Sequence, residues 1–143
     1  MGITYRAELG YGYHLRSEKG WLLDGPDPEG GNDDPYDYES WATRKLLASA
    51  GLTDDHEHDD FDEYLERRQT AMEQIGVTVE LTGYEGSDML LVAGYHKVAL
   101  GDVGAVPALD TSAADAKLAH ALDILGIRPR QQKPQWLLAS YCS

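Results

Sequence analysis

Ile3-Thr4-Tyr5-Arg6-Ala7-Glu8-Leu9-Gly10-Tyr11-Gly12-Tyr13-His14-Leu15 opens the chain with thirteen alternating residues. Its odd positions read Ile, Tyr, Ala, Leu, Tyr, Tyr, Leu, and its even positions Thr, Arg, Glu, Gly, Gly, His, Arg as far as Arg16. A period of two over this length predicts a strand with one buried and one wet face. Gly10 and Gly12 fall on the wet side, where a bulge or bend that splits the strand is expected. The other end of the chain answers it. Trp136–Tyr141 is a second near-continuous apolar run, and terminal strands of this kind often pair with each other.

Between these ends the periods change. Asp34-Pro35 reads as an N-cap followed by proline in a first helical turn, with Asp37 near the positive helix end. Tyr38, Trp41, Ala42, Lys45 and Leu46 recur at helical spacing, and Gly51 is a natural C-cap. A second helix starts within Asp54–Asp60, has Phe61, Tyr64, Leu65, Met72 and Ile75 as its apolar stripe, and ends at Gly76. Val77, Val79 and Leu81 then alternate with Thr78, Glu80 and Thr82. After a turn at Glu85-Gly86-Ser87-Asp88, Met89–Leu100 returns as a strand apolar on both faces, hence central. Ser112 with Asp115 forms a capping-box-like start to a helix burying Ala114, Leu118, Ala121, Leu122 and Leu125, closed by Gly126. A basic linker with Arg128, Arg130 and Lys133 leads to the last strand. The order β-α-α-β-β-α-β predicts an α+β fold, a mostly antiparallel sheet of about four strands with helices packed on one face. Residues 1–143 form one domain in this reading, with an acidic two-helix insertion at about 24–76.

The charge is unevenly placed. The 143 residues carry 25 acids and 12 bases, a net charge of -13. Residues 24–66 hold fifteen of those acids against Arg44 and Lys45 alone, so the two ends together are neutral. A field of this sign repels phosphate backbones and anionic membranes, which argues against direct nucleic-acid binding and membrane adsorption. No apolar run approaches the ~20 residues that span a bilayer, and the N-terminus lacks a signal-peptide core. Cys142 is the lone cysteine, so no internal disulfide or four-cysteine zinc site is possible. The expected location is the cytoplasm.

The densest polar cluster is Asp54-Asp55-His56-Glu57-His58-Asp59-Asp60. Counted from Asp55, the oxygens of Asp55, Glu57, Asp59, Phe61, Glu63 and Glu66 match the spacing of a calcium-binding loop. Asp60, however, stands where the sharp turn needs Gly, and Asp62 where an apolar residue is usual. His56 and His58 do not share a helix face, so a zinc pair fails. A solvated helix start with carboxylates favouring the dipole is the simpler account. No nucleophile elbow, phosphate loop or dinucleotide fingerprint is present, and His14, His96 and His120 are isolated. No enzyme activity and no cofactor are therefore expected. A search for a pocket would start on the wet face of the first strand, at Arg6, Glu8, His14 and Arg16.

Binding remains. The acidic segment contains Tyr36, Tyr38, Trp41, Phe61 and Tyr64. Tyr36 is the best candidate for exposure, because Trp41, Phe61 and Tyr64 lie on apolar stripes. An exposed aromatic among carboxylates suits a protein partner with a basic surface. The residues assigned to that contact are Asp33, Asp34, Tyr36, Asp37, Asp54, Asp55, Glu57, Asp59, Asp60 and Asp62. The alternatives are a divalent-metal or small-ligand site in the carboxylates of 54–66, and a small accessory enzyme. A monomer or a homodimer is expected.

Ile3-Thr4-Tyr5-Arg6-Ala7-Glu8-Leu9-Gly10-Tyr11-Gly12-Tyr13 and Leu125-Gly126-Ile127 with Lys133-Pro134-Gln135-Trp136-Leu137-Leu138-Ala139-Ser140-Tyr141 carry a resemblance. Together they resemble the ends of small uncharacterised proteins encoded by bacteriophages of high-GC hosts. In such proteins a Gly/Tyr-rich first strand is joined to a final helix-Gly-loop-Trp strand. The acidic middle lies outside the resemblance, and no functional residue is carried over by it. It implies a setting in the host-cell cytoplasm, where acidic phage proteins bind host nucleic-acid machinery as DNA mimics or anti-defence, anti-CRISPR-like inhibitors.

Overall fold

A computed structural model describes residues 5–28, 34–53, 60–83, 86–99, 101–105 and 108–142. Among them the chain forms β1 (Tyr5–Ser17), β2 (Gly20–Trp21), α1 (Pro35–Ser49), α2 (Phe61–Ile75), β3 (Thr78–Thr82), β4 (Asp88–Ala99), α3 (Thr111–Leu125) and β5 (Gln135–Cys142). All strand pairs are antiparallel, in the order β2-β1-β4-β3, with β5 on the same side of β1 as β2. The fold is the α+β sheet-and-helix layer expected. The two-residue strand β2 is the addition, a hairpin partner for Arg16 and Ser17 too short to leave a periodic signal.

The chain ends do pair. β5 lies against β1 from Tyr5↔Cys142 to Gly12↔Gln135. On its other side β1 pairs with β4, which is central and buries Met89 to Ala93 continuously. Met89, Leu91 and Ala93 join Tyr13, Leu15, Val77 and Val79 in the main core. Tyr38, Ala42 and Leu46 of α1, and Ala114, Leu118, Ala121 and Leu125 of α3, close that core from one face. α2 contributes Ala71 to a separate small cluster with Leu47 and Leu52.

Four local expectations need correction. The even face of β1 is not wet: Glu8 is 2% exposed, and Gly10 and Gly12 are buried. The sheet curls so tightly that a Cβ on Gly10 would lie 2.8 Å from the Val92 side chain, and one on Gly12 would collide with the Leu91 carbonyl oxygen. These glycines let two strands approach. The pairing does shift between Leu9 and Tyr11, across Gly10, but β1 runs through unbroken. There β4 supplies the extra residue, with Gly94 at a φ of 64°.

The second correction concerns α2. Phe61 is 71% exposed and Leu65 44%, so these two members of the expected apolar stripe do not face the core, while Tyr64, Met72 and Ile75 pack on the small cluster and Ile75 also on the main core. Helical spacing shows that residues share a face; it cannot show that another element lies against that face. Third, α3 starts from Asp110, whose carboxylate accepts the amides of Ser112 and Ala113 at 3.1 and 3.2 Å. Asp competes well with Ser for this position, and here it lies two residues earlier. Fourth, α1 ends on Ala50, with Gly51 one residue beyond at a φ of 90°.

Candidate functional site

The acidic residues fall into three places. Asp24 and Asp27 border a groove of about 1060 Å³ that they share with Arg128 and Arg130. There the Asp24 amide donates to the Arg128 carbonyl at 2.8 Å, and Arg130 Nε donates to the Leu23 carbonyl at 3.2 Å. The two acids of this loop therefore line the same groove as the basic linker of their own chain. Asp34 and Asp37 begin α1, and Asp60, Asp62, Glu63 and Glu66 begin α2. Asp33, Asp54, Asp55, Glu57 and Asp59 lie outside the described residues.

Two of the assigned carboxylates have structural work. Asp34 caps α1 by accepting the Tyr36 amide at 2.9 Å, and Asp60 caps α2 by accepting the Asp62 amide at 2.9 Å. Asp37 and Asp62 are exposed in the first turns, where the helix dipole favours negative charge. Tyr36 is 55% exposed, yet its ring rests on Gly86 and near Leu81 at the β3–β4 turn. It is a half-docked side chain.

The start of α2 exposes apolar and charged side chains close together. Phe61 and Leu65 are one turn apart and both open to solvent, with exposed Asp60 and Asp62 beside them at the helix start; Arg68 shares their side of the helix, while Glu66 lies further round and Glu63 on the opposite side. Tyr64 turns inward instead, into a groove of about 600 Å³ between α1 and α2 lined also by Trp41, Lys45, Leu47 and Leu52. Lys45 lies over the Trp41 ring at 5.6 Å, so one of the two cations of the acidic segment is held against an aromatic face. Sequence reasoning assigned the carboxylates of this region but placed Phe61 and Leu65 in the core. The available signal was the shortage of other apolar residues on α2, which has too few to fill a stripe of its length.

The metal reading meets a geometric obstacle. Phe61, whose carbonyl would be the seventh-position ligand, is already the first residue of α2, so that carbonyl is directed along the helix. Among the described residues no group of three or more His, Cys, Asp or Glu side chains could hold a metal ion.

On β1 the residues marked for an enzyme pocket have other partners. His14 Nε2 lies 2.9 Å from Asp88 Oδ1, and the Ser87 hydroxyl donates to Asp88 Oδ2 at 3.2 Å. The residue types resemble a hydrolytic triad, but the order is wrong: the carboxylate sits between hydroxyl and imidazole, so the histidine cannot take the serine proton. Arg16 stacks over Trp21 at 5.5 Å. Gln131, on the linker before β5, accepts the His14 amide at 3.0 Å and donates to the Gly12 carbonyl at 2.7 Å. It fills the gap in the β1 edge between β5 and β2.

Burial raises the Glu80 carboxyl pKa above its ordinary value, with Glu39 and Glu8 adding to the rise and the Thr78 hydroxyl and Lys97 opposing it. Burial raises Glu39 as well. The Tyr11 hydroxyl donates to Asp115 at 2.7 Å, which holds its proton more tightly than usual.

No helix among the described residues is long and apolar enough to cross a membrane. Set against known proteins, the chain matches no family model, no curated protein and no solved structure.

Proposed function

We propose that this chain is a non-enzymatic protein-binding module whose acidic helical region engages a basic surface on another protein. One observation carries the reading: at the start of α2, Phe61 and Leu65 stay in solvent beside Asp60 and Asp62, and the same two turns also expose Glu63 and Glu66. An exposed aromatic and an aliphatic side chain one turn apart form an anchor pair, and helices are read by partners through such spacings. The carboxylates of these two turns favour a basic rim and speed encounter with it. A nucleic-acid-binding groove offers such a basic rim, with the carboxylates standing in for phosphates. In a phage setting the partner is a host protein and the effect is inhibition, in the manner of a DNA mimic or anti-defence protein.

The test uses the full chain as bait in extract of its native host. A partner captured at low salt is expected to be released by heparin, which competes for a phosphate-binding groove. Capture is expected to fall at least tenfold for the triple variant Asp62→Lys, Glu63→Lys, Glu66→Lys, and separately for Phe61→Ser. These positions are exposed, so the variants should fold as the parent does. Capture that survives both variants would sink the assignment to α2; capture indifferent to heparin would remove the DNA-mimic part.

A further inference from the structure

We infer that β5 is a self-association edge, through which two copies of this chain join their sheets about a two-fold axis. Among the described residues, β5 has one strand neighbour, β1, and its other backbone edge is unpaired over eight residues. Proteins usually blunt such an edge with lysine, proline, an inward charge or a bulge. Gln135-Trp136-Leu137-Leu138-Ala139-Ser140-Tyr141-Cys142 has no charged residue and no proline, and its pairing with β1 runs without a register shift. Leu138 is 75% exposed and Trp136 38%, on the same face of the strand.

The strand itself indicates a second copy as the occupant. A two-fold axis perpendicular to the sheet keeps each residue on its own face, so it must pass through a residue. Centred on Leu138, it places Leu138 against Leu138 and Trp136 against Ser140 of the other copy. On the opposite face it sets Leu137 against Ala139. Two of these contacts set a large side chain against a small one, and no like charges oppose each other. Pro134, which has no amide to offer, stays outside the paired stretch. A two-fold contact of this kind uses the β5 edge of both copies, so the association closes at two copies. One strand pair is a small interface, and the dimer should therefore depend on concentration. This inference is independent of the role proposed for α2.

Sedimentation of the intact chain from low micromolar to millimolar concentration is the test. A monomer–dimer equilibrium is expected, and Leu138→Lys should weaken it at least tenfold by setting two ammonium groups against each other at the axis. Leu138 is mostly in solvent, so this variant should keep the parent circular dichroism. Amide exchange of the unaltered chain provides a check that needs no variant: protection within residues 135–142 should rise with concentration while that of β3 does not. A chain monomeric throughout overturns the proposal and leaves the edge to an extended segment of another protein. A dimer indifferent to Leu138→Lys, or one protecting another element, overturns it as well.

Discussion

α1 and α2 are matched in the features by which helices are usually judged. Each has fifteen residues, each starts from an Asp whose carboxylate accepts an amide at 2.9 Å, and each has acid in its first turn and no base in its last. Their fates differ. α1 buries Tyr38, Ala42, Leu46 and Leu47, whereas α2 buries Ala71 alone. α1 lies against β3 and α3, while the main neighbour of α2 is α1 itself. The same local chemistry thus builds a structural helix and a displayed one, and the division follows from what each is laid against. Function is better sought on the helix that the core does not need.

The contrast breaks most visibly under truncation. Tyr38→Ala removes a fully buried ring wedged between Trp21 and Trp41, at centroid distances of 4.9 and 5.5 Å, and should cost about 3–5 kcal/mol in urea unfolding. Phe61→Ala should stay within about 0.5 kcal/mol of the parent. Comparable losses at both positions would mean that α2 is packed as α1 is. Tyr38→Phe sharpens the point. The Tyr38 hydroxyl is buried without a hydrogen-bond partner among the described residues, so its removal should leave stability unchanged or slightly raised.

The caps give a smaller and more discriminating effect. Asp34→Ala and Asp60→Ala each remove one accepted amide, worth about 1 kcal/mol. α1 belongs to the cooperative core, so the first loss should appear in global unfolding. α2 has little burial to tie it down, and the second should appear chiefly as faster amide exchange within α2. A global shift of equal size for both would join α2 to the core.

These differences also mark how far the sequence could be read. The strand at each chain end, the central strand β4, the three helices and the stops at Gly76 and Gly126 all follow from period and punctuation, because those signals are local. The burial of Glu8 was not legible. It depends on Gly10 and Gly12 letting β4 curl over β1, an event between residues some eighty positions apart. Phe61 and Leu65 were misplaced for the same reason, since a stripe carries no information about whether anything lies opposite it. At the candidate site, the exposure of Asp37 and Asp62 and the capping by Asp34 were readable from position alone. That Asp24 and Asp27 share a groove with Arg128 and Arg130 was not, because it joins segments a hundred residues apart.

The smallest expected effect lies where α1 reaches the sheet. Glu39 on α1 and Glu80 on β3 are both partly shielded from water; burial raises the pKa of each, and the Glu39 charge adds to the rise at Glu80. A carboxyl whose folded pKa exceeds its unfolded value binds more protons in the native state, so its effect on stability turns unfavourable as pH rises. Below the ordinary value of 4.5 both states are protonated and there is no penalty; the penalty grows as pH climbs from there through the folded value. Glu80→Gln keeps an acceptor for the Thr78 hydroxyl, which donates to Glu80 at 3.0 Å, while removing the charge. The variant should therefore melt slightly higher than the parent at pH 7 and at the same temperature near pH 4. Reversing charge at Glu63, exposed on α2, should leave stability at pH 7 within about 0.5 kcal/mol of the parent. An equal response at both positions would show that the displayed helix and the packed one experience the same field, and would remove the distinction between them.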